Sequence, residues 1–138
     1  ALDPALPQPV EEGEERYAAL VHNAILSKHN LVLVAIGARG LIVGYVLATI
    51  SDPTPSMFRA LPVGSLADLY VLPDVRRRGV ARQLVDVAME WFRGQGVEAV
   101  EWEVAEANHA GRAFWDSLAG RPIMIRHRMS LAENEGDR

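Results

Sequence analysis

A change of hydrophobic period in the middle of the chain constrains its fold more than any other feature. Residues 64–72, GSLADLYVL, nearly alternate between apolar and polar positions, which predicts a strand. From Val80 the apolar residues follow a helical period until Gly94 and Gly96, and residues 97–105, VEAVEWEVA, alternate again. A strand, a helix and a second strand in this order predict a right-handed βαβ unit with parallel strands.

The first of these two strands has an irregular pattern. Leu69 and Val71 alternate, but the apolar residue before them, Leu66, lies three positions before Leu69 rather than two. One extra residue near Ala67 and Asp68 would return Leu66 to the same face, and such an insertion is a β-bulge. Because bulges re-aim side chains and often lie beside active sites, the irregularity makes Asp68 a candidate functional residue.

The flanking segments complete a mixed α/β architecture that we expect to form one domain over residues 1–138. The pattern predicts a helix over about 12–29, an antiparallel hairpin of strands 31–37 and 41–50, and a proline-rich loop over 52–62. Asn108 is the predicted N-cap of a helix that extends to about Leu118, and residues 121–131 are predicted to form a last strand. We expect residues 1–11 and 132–138 to be flexible.

Composition disfavours several classes of function. A net charge of −4 is unsuited to broad nucleic-acid or anionic membrane surfaces, and the longest apolar stretch, around 41–50, is too short to span a bilayer. The chain has no cysteine, and its four histidines lack metal-ligand spacing, so we expect no thiol nucleophile and no metal. The N-terminal residues show no signal-peptide pattern, which favours a cytoplasmic protein.

A basic segment joins the first strand of the βαβ unit to its helix. In residues 72–84, LPDVRRRGVARQL, three arginines precede a helix N-terminus, where the helix dipole disfavours cations. The unpaired amides of such a terminus bind anions, Gly79 permits close approach, and arginines add bidentate contacts to phosphate. This pattern predicts a phosphate site, and the alternative is a solvated basic turn.

Residues 76–81, RRRGVA, resemble the R/Q-x-x-G-x-G/A pyrophosphate loop of the GNAT N-acetyltransferases. The preceding residues 69–74, LYVLPD, are similar to the family's strand end, and residues 104–120 are similar to its next motif, with Asn108 in the place of the family's asparagine. Both blocks look most similar to the polyamine-acetyltransferase branch. The resemblance covers residues 31–131.

The resemblance implies a fold and a co-substrate. It implies a largely antiparallel mixed sheet, flanked by helices, with a central parallel pair that splays apart between strands 64–72 and 97–105. It also implies acetyl-CoA as co-substrate, an amine as acceptor, and a homodimer as the usual assembly. The pantetheine arm would pair with backbone groups near Tyr70 and Val71, and the pyrophosphate would lie on the amides of about 77–82. The implied cofactor-binding residues are Tyr70, Val71, Arg76, Arg77, Arg78, Gly79, Val80, Ala81, Arg82, Asn108 and Trp115, although the N-cap role alone accounts for Asn108.

Acetyl transfer to an amine requires a group that removes or accommodates the proton of the amine. An alkylamine has a pKa of about 10.4 and is almost fully protonated at neutral pH. Asp68 is the first candidate for a base or amine-orienting group, because the bulge would aim it at the splay; Glu101 and Glu103 are alternatives. Tyr70 is a second catalytic candidate if its ring faces the cleft, and Asp68 has a purely structural alternative as a turn-forming residue.

Two departures from the family pattern affect the mechanism. Trp115 stands where many members have the tyrosine that protonates the departing CoA, and an indole N–H is not a usable acid. We therefore expect Trp115 to pack against the cofactor or the core. No strand precedes the first helix, so the first strand of the family would lie upstream of Ala1.

Three hypotheses follow. The first is an acetyl-CoA-dependent N-acetyltransferase in which a primary amine, of a small molecule or a protein, attacks the thioester directly. The second is a non-catalytic acyl-CoA-binding or regulatory domain of the same fold. The third, a protein- or nucleic-acid-binding module that uses residues 76–78, is disfavoured by the acidic net charge.

Overall fold

The computed structural model describes residues 6–132. Its elements follow the order α1 (Gly13–Ile25), β1 (Asn30–Ile36), β2 (Ile42–Ser51), β3 (Val63–Val71), α2 (Val80–Gly94), β4 (Val100–Glu101) and α3 (His109–Asp116). The chain divides into two compact units. One comprises residues 11–103; the other includes the described residues 6–10 and 104–132, and each unit is treated by itself.

Four strands of the first unit form one mixed sheet in the order β1-β2-β3-β4. The β1/β2 and β2/β3 pairs are antiparallel. β4 lies parallel to β3, with Gly64 opposite Val100 and Ser65 opposite Glu101. The predicted mixed sheet with a parallel pair is confirmed, although within the described residues this pair lies at one end of the sheet rather than at its centre.

Two predicted strands differ from the structure. The strand predicted over 97–105 is only Val100–Glu101, because β3 and β4 pair at two positions and a strand cannot continue without a ladder partner. The strand predicted over 121–131 is wrong, since that segment has no regular secondary structure and its side chains are exposed. Alternation of apolar residues signals an amphipathic segment, but it does not supply the neighbouring strand that would complete the hydrogen bonds.

The predicted bulge is present at the predicted place. Leu47 of β2 faces Asp68, and the next residue, Ala48, faces Leu66, so Ala67 is the extra residue on β3. The insertion restores the alternation of the apolar residues on β3 and increases the local twist. Asp68 therefore occupies the first regular position after the bulge.

α2 covers one face of the sheet and forms the core with it. Its side chains Leu84, Val85, Ala88 and Phe92 are buried, as are Val46, Ala48, Leu66 and Val71 of the strands. Phe92 lies so close to β3 that a Cβ on Gly64 would be 2.6 Å from its ring. Full burial of one such side chain contributes roughly 1.5–3 kcal/mol, so α2 fixes the position of β3.

α1 is attached differently, because none of its residues is buried. It contacts β1 and ends at Ile25, four residues before the predicted end. The amide nitrogens of Leu26 and Ser27 bond to Asn23 and Ala24 carbonyls, which closes the last turn before β1 begins at Asn30. The prediction of a helix up to residue 29 is therefore too long by about one turn.

Residues 52–62 form an irregular loop, as their prolines predict. Asp52 organises it: one carboxylate oxygen accepts hydrogen bonds from the amides of Thr54, at 3.0 Å, and Leu61, at 3.4 Å. The side-chain hydrogen bond with Thr54 is the main cause of a lowered pKa at Asp52. Met57 and Phe58 are exposed at the tip of this loop.

The second unit contains α3. Asn108 caps it as predicted, since its side-chain oxygen accepts a hydrogen bond from the Gly111 amide at 3.0 Å. A Cβ at Gly111 would clash with the Asn108 side chain. The helix ends at Asp116, two residues before the predicted end at Leu118.

Candidate functional site

Three oxygen atoms converge at the bulge of β3. The Tyr17 hydroxyl donates a hydrogen bond to Asp68 Oδ2 at 2.5 Å, and the Tyr45 hydroxyl donates to the same oxygen at 2.7 Å. The two hydroxyl oxygens lie 3.1 Å apart. Oδ2 of Asp68, on β3, is thus hydrogen-bonded to both α1 and β2.

The register of the sheet explains why these side chains meet. Gly64, Leu66, Leu69 and Val71 share the face that packs on α2, because Phe92 of α2 lies against Gly64. Asp68 and Tyr70 therefore point to the opposite face, together with their β2 partners Leu47 and Tyr45. Tyr17 reaches this second face from α1.

Both phenols are held in their protonated form. Partial burial, followed by the hydrogen bond to Asp68, raises the pKa of Tyr17 well above its usual value. Burial is also the main cause of the raised pKa of Tyr45; its hydrogen bond with Tyr17 opposes this shift and its hydrogen bond with Asp68 adds to it. At neutral pH both hydroxyls are consequently donors toward the carboxylate.

The second oxygen of Asp68 is not used in this cluster. Both phenol hydrogen bonds go to Oδ2, and no cation in the described part of the chain forms an ion pair with Asp68. The residue is half-buried. The other carboxylate oxygen, Oδ1, can therefore accept a further hydrogen bond.

Tyr70 and Arg76 extend this cluster toward the arginine loop. The Tyr70 ring lies 6.3 Å from that of Tyr45. The Arg76 guanidinium lies over the Tyr70 ring at 5.6 Å from its centre, and Arg76 Nε donates to the Val71 carbonyl at 2.8 Å. Arg76 is therefore turned back onto β3, which fixes the start of the loop.

The edge of β3 that faces away from β2 is open over its second half. The Leu72 amide donates to the Val43 carbonyl at 2.8 Å, and the alternation of an antiparallel ladder makes Tyr45 and Tyr70 the next hydrogen-bonded pair. The backbone groups of Leu69 and Val71 therefore point away from β2. Among the described residues β4 pairs only with Gly64 and Ser65, so these groups face no other strand.

The loop between β3 and α2 presents backbone amides and arginines together. Arg77, at φ 63°, and Gly79, at φ 80°, both adopt the left-handed conformation. Gly79 is the N-cap of α2; no side chain caps this end and no acidic residue lies in the first turn. All four arginines from 76 to 82 are exposed. Arg82 pairs with Asp86 at 3.3 Å, whereas Arg77 and Arg78 form no ion pair within the described residues. The amides that follow Gly79, together with Arg77 and Arg78, form an arrangement that favours anions.

The other predicted residues lie in different surroundings. Val80 and Ala81 open α2, and Glu101 and Glu103 are exposed. In the second unit, the Trp115 ring packs edge-on against that of Phe114, 5.1 Å away. Within residues 6–132 no three His, Asp or Glu side chains are grouped closely enough to hold a metal. No helix in this range has the length and apolar character of a membrane span.

Comparison with known proteins identifies the family. The sequence profile of the acetyltransferase (GNAT) family matches residues 2–120. The chain belongs to this family. The predicted membership of the GNAT superfamily is thereby confirmed, whereas the narrower likeness to the polyamine branch and the role of residues 76–81 stay predictions.

Two relatives and one solved structure illustrate the range of this GNAT similarity. A mycothiol acetyltransferase of Beutenbergia cavernae is 32% identical over 73 residues, which are 51% of this chain and 25% of that protein. An aminoglycoside N(6')-acetyltransferase type 1 of Salmonella typhimurium is 29% identical over 94 residues, 68% of this chain and 65% of the relative. The aminoglycoside acetyltransferase AAC(6')-Iy, solved with a bisubstrate analogue that contains CoA, has a TM-score of 0.68 at 24% identity and covers 91% of this chain and 84% of its own. This last likeness concerns the fold.

Tyr17 and Tyr45 are the residues that sequence reasoning missed at this candidate site. Tyr17 belongs to the apolar stripe of the first helix, and Tyr45 lies in a strand where an aromatic residue is ordinary. Their roles depend on the register of β2 against the bulged β3, which places Tyr45 opposite Tyr70. The only signal in the sequence was the bulge itself, which pointed to Asp68.

Proposed function

We propose that this chain transfers an acetyl group from acetyl-CoA to a primary amine by direct attack on the thioester. One observation carries the proposal: the edge of β3 that is open within the described residues leads through the loop 72–79 to a helix N-terminus that presents free amides and exposed arginines. A strand edge suits the amides of pantetheine, and the helix terminus suits a pyrophosphate. Membership of the GNAT family supports the same assignment.

In this proposal two sets of backbone groups bind acetyl-CoA: the amides at the start of α2 bind its pyrophosphate, and the free edge of β3 binds its pantetheine arm. The amides of about residues 77–82, with Gly79 giving close access, would bind the pyrophosphate, and Arg77 and Arg78 would neutralise its charge. Arg76 would act by fixing the loop, because its guanidinium is engaged with Tyr70 and the Val71 carbonyl. Val80, Ala81 and Arg82 would contribute through their amides in the first turn of α2, which the small side chain of Ala81 leaves open.

The pantetheine arm would pair with the outward backbone groups of β3. The Val71 amide and the Leu69 groups point to the open edge, whereas the backbone of Tyr70 faces β2. Tyr70 would therefore contribute through its side chain. An amide near the bulge would polarise the thioester carbonyl as the tetrahedral intermediate forms.

The chemistry balances without a covalent enzyme intermediate. The neutral amine attacks the carbonyl carbon, the C–S bond breaks, and the sulfur leaves with its electron pair. The proton that the nitrogen loses passes to water or to the thiolate. Because a thiol has a pKa of about 8.5, its thiolate is a tolerable leaving group. Trp115 supplies no proton in this scheme. We propose that Trp115 contributes by packing against the cofactor and that Asn108 contributes only as the cap of α3.

Release of CoA over a panel of amines tests this proposal. Because the chain has no cysteine, a thiol reagent reports CoA without background from the protein. We expect amine-dependent CoA release and a raised melting temperature in the presence of CoA. A melting temperature that rises without amine-dependent release would favour the acyl-CoA-binding or regulatory alternative, and no rise with either acetyl-CoA or CoA would contradict the donor site.

We also propose a cytoplasmic location and, as the family resemblance suggests, a homodimer. Sedimentation velocity of the purified protein, with and without acetyl-CoA, measures the second of these. A monomer at all concentrations in both conditions would contradict it.

A further inference from the structure

The carbonyl of Val71 is the last outward-facing acceptor on the open edge of β3, and a side chain of the same chain already bonds to it. Arg76 Nε donates to this oxygen at 2.8 Å, and the guanidinium lies over the Tyr70 ring at 5.6 Å from its centre. The amide of Leu72 bonds to β2, so the chain leaves this edge after Val71 and the Arg76 side chain returns to it. Arg76 therefore covers one end of the edge along which the pantetheine arm is proposed to pair.

This contact protects the open edge of β3. A strand edge with unpaired amides and carbonyls pairs with other extended segments, and charged side chains or covering loops prevent such pairing. Arg76 supplies both a donor for the carbonyl and a positive charge. A pantetheine arm that pairs with β3 uses the same backbone groups as an added strand. An arm without any other attachment must therefore compete with Arg76 for the Val71 carbonyl.

A pyrophosphate changes this competition. Arg76 lies three residues before Gly79, the N-cap of α2, and within the described residues no carboxylate forms an ion pair with it. A guanidinium binds phosphate oxygens through two parallel hydrogen bonds between opposite charges, which are stronger than one bond to a neutral carbonyl. A pyrophosphate on the amides that follow Gly79 would therefore draw the guanidinium away from Val71 and Tyr70.

We propose that Arg76 is a specificity-determining residue, which makes pairing of the pantetheine arm depend on the pyrophosphate of the same donor. Without a donor, Arg76 anchors the loop and covers the Val71 carbonyl. With a pyrophosphate bound, its guanidinium turns to the phosphate, the carbonyl accepts a hydrogen bond from pantetheine, and the Tyr70 ring is uncovered. The chain thus favours acyl thioesters that carry a pyrophosphate over thioesters of pantetheine alone. This inference rests on the donor position given in the proposed function.

Two matched ligands test this role. Acetyl-CoA and S-acetylpantetheine share the thioester and the pantetheine arm, and only the first carries a pyrophosphate. In calorimetric titrations, Arg76→Ala should have opposite effects on them. We expect about fivefold tighter binding of S-acetylpantetheine, because the competing donor is removed, and about fivefold weaker binding of acetyl-CoA, because a phosphate contact is lost. A residue that only fixes the loop would weaken the binding of both ligands when it is removed.

Arg76→Gln separates the hydrogen bond from the charge. The Nε2 of a glutamine side chain is as many bonds from its Cα as the Nε of arginine, so it can still donate to the Val71 carbonyl, but it carries no charge. This variant should bind S-acetylpantetheine as weakly as the wild type and should bind acetyl-CoA less tightly. Arg93→Ala is the charge control, because Arg93 pairs with Glu90 on α2. It should change neither affinity by more than about twofold.

Cooperative binding of two fragments is the second test. If pyrophosphate draws Arg76 away from Val71, saturating inorganic pyrophosphate should raise the affinity of the wild-type protein for S-acetylpantetheine by about fivefold, and the reverse must hold equally. This coupling should vanish in Arg76→Ala and in Arg76→Gln. Nuclear magnetic resonance gives an independent readout, since the Arg76 Nε–H signal should shift on addition of acetyl-CoA and stay in place on addition of S-acetylpantetheine.

These measurements require no turnover, so they separate the role of Arg76 from the proposed acetyl transfer. Opposite effects of Arg76→Ala on the two ligands support the inference even if no amine is acetylated. Weaker binding of both ligands in Arg76→Ala, or no effect of pyrophosphate on the wild type, would overturn it while the donor site stands. If neither acetyl-CoA nor S-acetylpantetheine binds the wild-type protein, the donor site itself is contradicted and the inference falls with it.

Discussion

The guanidinium of Arg76 lies over the ring of Tyr70, and its Nε bonds to the carbonyl of the next residue, Val71. This arrangement separates Arg76 from its two neighbours in the sequence. All three are exposed, but within the described residues neither Arg77 nor Arg78 has a side-chain hydrogen bond or an ion pair of this kind. Arg76 therefore anchors the loop, whereas the proposed role of Arg77 and Arg78 is to supply charge to a bound phosphate.

Alanine at these positions should separate the two roles. Arg76→Ala should lower the free energy of unfolding by about 1 kcal/mol through the lost hydrogen bond and ring contact, and should also weaken acetyl-CoA binding. Arg78→Ala should leave stability within about 0.5 kcal/mol and weaken acetyl-CoA binding in a salt-dependent way. Urea denaturation and calorimetry in low and high salt measure these effects. Equal stability of the two variants would contradict the anchoring role.

Gly79 permits a direct test of the phosphate loop. Gly79→Ala places a Cβ on a backbone at φ 80°, where open space surrounds it. We expect a cost of roughly 1–2 kcal/mol in stability from the left-handed conformation and a lower affinity for acetyl-CoA, because the methyl group obstructs the amides. The matched control is Gly40→Ala in the β1–β2 turn, which has φ 71° and equal space. It should show the same loss of stability with unchanged affinity, and parallel losses of affinity would refute the assignment.

Gly64 should tolerate no side chain. A Cβ there would lie 2.6 Å from the Phe92 ring, and overpacking of this kind costs about 1–3 kcal/mol. Gly64→Ala should therefore lower the melting temperature. Gly94→Ala, in α2 and without neighbours within 4 Å, should leave stability unchanged or raise it by up to about 1 kcal/mol. A thermal melt in which Gly64→Ala matches the wild type would show that Phe92 can move away.

The hydrogen bonds of Tyr17 and Tyr45 to Asp68 predict a loss of stability at alkaline pH. Unfolded tyrosine has a pKa of about 10, whereas burial and Asp68 raise the pKa of Tyr17 and Tyr45 in the folded state. The stabilisation is thus fully present below about pH 10 and is lost as pH rises through the folded pKa values, because the unfolded chain then binds fewer protons. Urea denaturation between neutral pH and pH about 11 measures the slope. Tyr17→Phe should be less stable at neutral pH and should show a shallower decline; an identical slope would place the alkaline loss elsewhere.

Much of this fold could be predicted from periodicity. The change from alternation to a helical period located β3 and α2, and the misplaced Leu66 located the bulge. The short length of β4 and the lack of a strand over 121–131 could not be predicted in this way, because a strand exists only where another strand completes its hydrogen bonds. The alternation of Val100, Trp102 and Val104 describes one segment and contains no information about that partner.

The candidate site, like the fold, could be predicted from the sequence only in part. The arginine loop could be found because its chemistry lies in consecutive residues. The contacts of Asp68 with Tyr17 and Tyr45 could not, since they depend on a register between β2 and β3 and on the position of a helix that buries no side chain. Arg76 was expected to face a phosphate, and its actual contacts with Tyr70 and Val71 depend on a loop conformation that the sequence pattern does not specify.

The attachment of α1 through Tyr17 has a consequence for the order in which the structure forms and opens. Tyr17 and Asp68 are 51 residues apart in the chain, so their hydrogen bond cannot form until β3 has paired with β2. With no buried residue of its own, α1 should be among the last elements to settle and the first to exchange its amide hydrogens. Local opening on this side would expose the face that bears Asp68 while α2 keeps the sheet intact.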